Sequence, residues 1–189
     1  VGKDLSGSVL GIVGFGDIGR AVAKRAAAFG MKVIYTGRSR KIEHEEQLGA
    51  EYLPLEELLK RSDFVSLNCA LTNETSGLIG ERELRMMKND AVLINTARGA
   101  VVDQKALFMA CSEGWIYGAG LDVYEKEPVP MDEPLLELEN VVMMPHIGSA
   151  AKRSREGMAR LAATNLVEAL EGRVPPNLVN PGVLKEKRP

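Results

Sequence analysis

Three residues of this chain carry side chains suited to proton and anion chemistry. Each stands just after an apolar run: Arg98 in "LINTARG", Glu127 in "DVYEKEP" and His146 in "MMPHIGS". An arginine in a cleft holds a carboxylate or phosphate through its rigid fork of donors, which points to a small acidic substrate. A histidine beside a carboxylate makes a proton donor near neutral pH, because the negative charge favours the imidazolium. Taken alone His146 reads as structural; Arg98 and Glu127 together make it a candidate catalyst. The other histidine, His44 in "KIEHEEQ", sits among charges and reads as surface.

A second group suits phosphates. "GIVGFGDIGR" places Gly14, Gly16 and Gly19 between an apolar run and a helical segment. In such a turn Gly16 lets the backbone approach a pyrophosphate, Gly19 lets the helix lie close on the strand, and the free N–H groups at the helix start bind the anion. The spacing alone is weak, since 19 of 189 residues are glycine. Its place between strand and helix makes a dinucleotide the expected ligand. Along that helix Ile18, Val22, Ala26 and Phe29 form an apolar stripe expected to face a sheet.

The end of the second strand selects among dinucleotides. Folds that prefer NAD usually carry an acid there, about 20 residues beyond the glycines, on the ribose 2'-hydroxyl. "VIYTGRSRK" instead has Gly37 at that place, 18 positions after Gly19, followed by Arg38, Ser39, Arg40 and Lys41. A carboxylate would repel a 2'-phosphate, whereas a guanidinium binds it bidentately and a serine hydroxyl adds a hydrogen bond. The expected cofactor is NADP(H), with NAD(H) second.

The elements that must position these groups alternate. "SVLGIVG" precedes a helix over Asp17 to Phe29, "KVIYT" a charged segment from Lys41, and "DFVSLN" a helix over Glu81 to Lys88. "AVLIN", a helix near Asp103 to Glu113, "IYGAGLDV" and "NVVMMP" continue the series. Strands this apolar, separated by helices, make an α/β fold with a doubly wound parallel sheet, Rossmann-like and covered on both faces. Arg98, Glu127 and His146 then gather at the strands' C-terminal edge, where open sheets of this kind bind ligands. From Ala150 to Glu171 the chain reads as one long helix capped by Ser149, and the proline-rich tail ends the pattern.

Bulk composition excludes several classes. The chain has 45% hydrophobic residues, a formal net charge of -2 and a pI near 5.8. That balance argues against a general nucleic-acid binder, which needs a cationic face to displace counterions. Lys152-Arg153 and the cluster Lys185 to Arg188 read as solvated ends. No apolar run reaches the ~18 residues of a membrane span. Cys69 and Cys111 lie 42 positions apart without a histidine pair, so neither zinc nor a disulfide framework is expected. Cys69, inside "FVSLNCAL", reads as a buried reduced thiol of a cytoplasmic protein. A start at Val1 without Met suits a processed product or a segment of a longer polypeptide.

"GFGDIG", "LINTARG", "GAGLDVYEKEP" and "PHIGSA", in this order, resemble the D-isomer-specific 2-hydroxyacid dehydrogenase family. The "YTGRSR" turn and the closing "PLLELENVVMMPHIGSA" are most similar to its glyoxylate reductase/hydroxypyruvate reductase branch. The resemblance implies hydride transfer from NADPH to the carbonyl of a small 2-oxo acid, giving the D-2-hydroxy acid. By position it implies that Arg98 binds the substrate carboxylate and polarises the carbonyl, that His146 gives the proton, and that Glu127 orients and charges His146. Asp122 would hold the nicotinamide carboxamide. Asp17 and Ile18 join the glycines in the cofactor loop, and Ala70, Thr96, Gly148 and Ser149 would line the cofactor. The formate dehydrogenase branch carries an amide at Glu127, so the carboxylate favours 2-oxo acid reduction.

Two departures from the family pattern stand out. Asp17 lies where many relatives have a basic residue. The family's chain is also longer, and its substrate domain is built mostly from residues preceding this segment. Residues 1–150 are therefore read as the dinucleotide-binding domain, and residues 151–189 as a return helix and tail toward a substrate domain absent from this chain. The family suggests a homodimer of the full-length protein. The alternatives are a corepressor-like dinucleotide sensor, since related corepressors keep the same three residues, and a cofactor-binding fragment inactive on its own.

Overall fold

The computed structural model of the chain describes residues 2–185, so the basic cluster beyond Lys185 lies outside the described residues. Short apolar runs form seven strands: β1 (Val9–Val13), β2 (Lys32–Thr36), β3 (Ala50–Tyr52), β4 (Phe64–Leu67), β5 (Val92–Asn95), β6 (Gly118–Leu121) and β7 (Val141–Met143). Between them run α1 (Asp17–Ala28), α2 (Ile42–Leu48), α3 (Leu55–Arg61), α4 (Glu81–Met86) and α5 (Gln104–Ser112), with α6 (Lys152–Leu170) after the last strand. All neighbouring strands pair in parallel, in the order β3-β2-β1-β4-β5-β6-β7. This is the expected doubly wound α/β sheet. The order reverses between β1 and β4, and such a switch point opens a crevice at the strands' C-terminal ends.

The register sets the two cores. Gly11, Val65, Leu93 and Ala119 lie side by side on one face. There Val65, Leu93, Leu58, Leu84 and Leu107 make one dry cluster under α3, α4 and α5. On the opposite face Leu10, Ile12, Val33 and Tyr35 pack with Ala23 and Ala26 of α1. Beyond β4 that second face departs from the expected cover: Val142 is 64% exposed, and a Cβ on Gly120 beside it would meet no atom within 4 Å. The cause is local. β6 leads into a loop and a single helical turn, Pro134–Glu137, whose Leu135 joins the first core, so this crossover lays no long helix on the second face.

The α1 stripe also differs from expectation. The helix buries Gly19, Ala23 and Ala26, while Ile18 and Phe29 are 64% and 63% exposed. The buried set recurs at i, i+4 and i+7, in small residues. A Cβ on Gly19 would stand 2.2 Å from the Gly14 carbonyl oxygen, so the helix presses on the turn too closely for a large side chain. β3 and α3 were not expected from the sequence. α3 packs just as tightly: a Cβ on Gly11 would lie 2.1 Å from Ser62 Oγ and 2.6 Å from Leu58 Cδ2.

Asp63, at the entry to β4, ties distant segments together. It accepts from the Val9 N–H at 2.7 Å and from Lys88 and Lys3 at 2.9 and 3.1 Å. The chain divides into a compact unit ending at His146 and a second beginning at Ile147. In the second unit Ala151, not Ser149, occupies the position before α6, because the Ala150 N–H turns back to the Ile147 carbonyl at 2.9 Å. No residue of α6 is buried. Cys69 is half-buried and Cys111 buried; both thiols are free, and burial pushes Cys111 up to about 11. Among the described residues no helix is long and apolar enough to cross a membrane.

Candidate cofactor and catalytic site

The C-terminal edge of the sheet collects most of the residues singled out by the sequence. Gly14 follows β1, Arg38 to Arg40 follow β2, Ala70 follows β4, Thr96 and Arg98 follow β5, Asp122 follows β6 and His146 follows β7. Gly148 and Ser149 begin the second unit.

Two strand ends touch at the switch point. Gly14 has φ 95° and a Cβ there would lie 2.5 Å from the Cys69 backbone nitrogen, so only glycine lets the turns after β1 and β4 meet. Asn68 Oδ1, in the same turn, is buried without a hydrogen-bond partner. Gly16 is different: a Cβ there would meet nothing within 4 Å, so open space lies over the turn. Helix α1 starts at that space with no side-chain cap, which suits an anion. Asp17 does not leave a bare negative charge beside it, because Arg20 pairs with Asp17 at 2.6 Å.

The cationic turn divides into two roles. Arg38 and Ser39 are exposed; the charge of Arg38 is felt by the Glu74 carboxyl, which it helps hold below its ordinary range after the hydrogen bonds from Thr72 and the backbone. Arg40 is forked onto Glu45, with Nε to Oε1 at 2.9 Å and Nη2 to Oε2 at 2.8 Å. Arg40 holds the Glu45 carboxyl below its usual range, and the Tyr35 hydroxyl adds to this.

Arg98 stands on a turn built by a residue that sequence reasoning missed. Asn95 is 1% exposed; its Oδ1 accepts from the Ala97 N–H at 3.0 Å, and its Nδ2 donates to the Arg98 carbonyl at 3.0 Å. An Asn at the start of "NTAR" is a signal for such a side-chain-closed turn. The next residue docks the turn on its neighbour, since a Cβ on Gly99 would overlap the Tyr124 backbone, at 1.8 Å from its carbonyl carbon. The Arg98 guanidinium is exposed and bonds to the Ala97 carbonyl at 2.6 Å, leaving its charge unmatched by a carboxylate contact.

Glu127 and His146 meet. His146 Nδ1 lies 2.7 Å from Glu127 Oε2, and the Tyr124 N–H donates to Glu127 Oε1 at 3.0 Å. The hydrogen bond from His146 comes first among the causes that hold the Glu127 carboxyl below its ordinary range; the Tyr124 N–H follows, and the nearby charge of Arg98 also contributes. Tyr124 serves both partners: its buried hydroxyl lies 2.7 Å from the Met144 carbonyl, two residues before His146. Gln104 anchors the same loop from α5, exchanging backbone-to-side-chain hydrogen bonds with Glu125 at 3.1 Å in both directions. No local pattern announces Tyr124 or Gln104, because their partners lie about 20 residues away.

A parallel sheet with this strand order, a glycine turn opening α1 and a crevice at the switch point define a dinucleotide-binding domain. Residues 1–148 match the family described as D-isomer specific 2-hydroxyacid dehydrogenase, NAD binding domain, and the chain belongs to that family. It is 59% identical over 189 residues to a glyoxylate reductase of Thermococcus litoralis, covering all of this chain and 57% of that protein. The TT0316 protein of Thermus thermophilus superposes with a TM-score of 0.89 at 52% identity, covering 95% of this chain and 56% of the other. A glyoxylate reductase from Paecilomyes thermophila gives 0.84 at 45% identity, over 92% and 53%. The chain thus spans little more than half the length of the relatives it matches.

Proposed function

We propose that this chain is the cofactor-binding part of an enzyme that uses NADPH to reduce a small 2-oxo acid, of the glyoxylate or hydroxypyruvate kind, to the D-2-hydroxy acid. The observation that carries the reading is the His146–Glu127 pair, 2.7 Å apart on the sheet edge that also bears Arg98. The relatives named above, glyoxylate reductases, support the substrate class. A nicotinamide, when bound, supplies the hydride. Arg98 takes the substrate carboxylate and stabilises the charge that develops on the carbonyl oxygen. His146 Nδ1 is engaged by Glu127, which leaves Nε2 to deliver the proton to that oxygen. Glu127 fixes the ring and balances its charge.

The open space over Gly16, the uncapped start of α1 and the exposed Arg38 support NADPH as the cofactor. Gly37, at the end of β2, offers no carboxylate to repel a 2'-phosphate. Titration of the chain with both cofactors tests this. NADPH binds more tightly than NADH, and Arg38→Ala weakens NADPH by about one to two decades, the worth of one charge-assisted hydrogen bond, while leaving NADH unchanged. Equal affinities in the unmodified chain refute the preference.

A further inference from the structure

One buried side chain joins the two turns that face the cofactor's phosphates. Tyr35, the fourth residue of β2, is fully buried and stacks on Phe15 of the glycine turn, ring centroids 3.9 Å apart and planes 19° from parallel. Its hydroxyl reaches the other turn. It donates to Glu45 Oε1 at 2.6 Å and accepts from the Lys41 N–H at 2.7 Å. Glu45 in turn grips Arg40, and the Gly14 N–H donates to the Thr36 carbonyl at 2.9 Å. Residues 37–40 are therefore held at both ends, at Thr36 by the glycine turn and at Arg40–Lys41 by the Tyr35–Glu45 link. Arg40 is occupied by this link, so Arg38 and Ser39 are the residues of the loop left to face a ligand.

We propose that Tyr35 is a positioning residue that, through Glu45, holds the Arg38 turn at the distance from the glycine turn that a 2'-phosphorylated dinucleotide requires, and so sets the preference for NADPH over NADH. The inference rests on the NADPH reading above. A loop already ordered before binding loses less conformational freedom when the phosphate arrives. NADH engages the glycine turn and carries no 2'-phosphate, so loosening the second turn penalises NADPH alone.

The test is a set of cofactor titrations on the chain, read by calorimetry or nicotinamide fluorescence, with Tyr35→Phe, Glu45→Ala and the double variant. Tyr35→Phe keeps the ring on Phe15 and removes only the hydroxyl. It weakens NADPH by about tenfold, the scale of one lost hydrogen bond to a charged group, and leaves NADH unchanged. Glu45→Ala does the same, and the double variant loses no more than the larger single loss, because both act through one link. Equal weakening of both cofactors in Tyr35→Phe makes the role merely structural and overturns the proposal. So does tighter NADPH binding in Glu45→Ala, which would mean that Arg40, once released, reads the phosphate itself. An NADPH preference that Tyr35→Phe leaves intact removes this inference and spares the reading beneath it. No preference in the unmodified chain removes both.

Discussion

His146 has φ 53°, the one non-glycine residue with positive φ among those described. A bulky residue in this region costs on the order of 1 kcal/mol or more and persists only where its surroundings hold it. Here the Glu127 carboxylate grips the ring, and the backbone N–H returns to the Met144 carbonyl at 3.0 Å. In a polypeptide of the relatives' full length that contains this chain, His146→Ala lowers turnover with glyoxylate by roughly 10² to 10⁴, the usual worth of a placed general acid. Glu127→Gln keeps the shape and removes the charge beside the ring, so turnover with glyoxylate falls by about tenfold or more while NADPH affinity stays unchanged. Unchanged turnover in Glu127→Gln would dissociate Glu127 from the proton step. Arg98, Glu127 and His146 were legible as chemistry because each follows an apolar run in a polar turn. Tyr124 was not, because its Met144 partner lies 20 residues away, whereas Asn95 bears only the short turn signal of "NTAR".

At the scale of elements the Asp63 staple decides how β1, β4 and the turn after α4 stay in register. Burial pushes its carboxyl up, but the Val9 N–H and the Lys88 and Lys3 ammonium groups outweigh this and bring it down to about 2, against 3.8 ordinarily. A carboxyl with a depressed folded value adds stability that is complete above its ordinary value and is lost as pH falls toward the folded one. The contribution is therefore present at neutral pH and fades between about pH 4 and pH 2. After screening by water it amounts to about 1–2 kcal/mol. Thermal melts followed by circular dichroism should show Asp63→Asn less stable by that amount at neutral pH. The gap should narrow near pH 2; a gap that stays constant would mean the carboxylate charge is not what holds the segments.

At the scale of the whole chain, the proposed dinucleotide anchors and the His146–Glu127 pair lie in a polypeptide that spans 57% of the Thermococcus relative. Glu127 and His146 remain 36% and 49% exposed, open to water. Holding a substrate in near-attack geometry, closed from solvent, is worth ~7 to 11 kcal/mol in well-oriented systems. The chain by itself is expected to bind NADPH and to reduce glyoxylate slower by at least a few decades than a polypeptide of the relatives' length. Comparable kcat/KM for the two would show that the substrate site lies wholly within these residues.

By itself the sequence determined the alternation of strands and helices, the glycine turn, the missing acid after β2 and the candidates at the sheet edge. These are written in short-range spacing, through hydrophobic period and turn chemistry that neighbouring residues impose on one another. The short edge strand β3 and the helix α3 escaped, since runs of three and seven residues carry little period of their own. Tertiary structure alone decided which face of α1 is buried, where close backbone approach through Gly19 outranked the larger Ile18 and Phe29. It also decided that Arg40 is forked onto Glu45 while Arg38 stays exposed, although both stand in one cationic run. Spacing tells which residues share a turn; which of them is neutralised depends on what packing brings beside it, here a carboxylate on α2 steered by the hydroxyl of a tyrosine buried in β2.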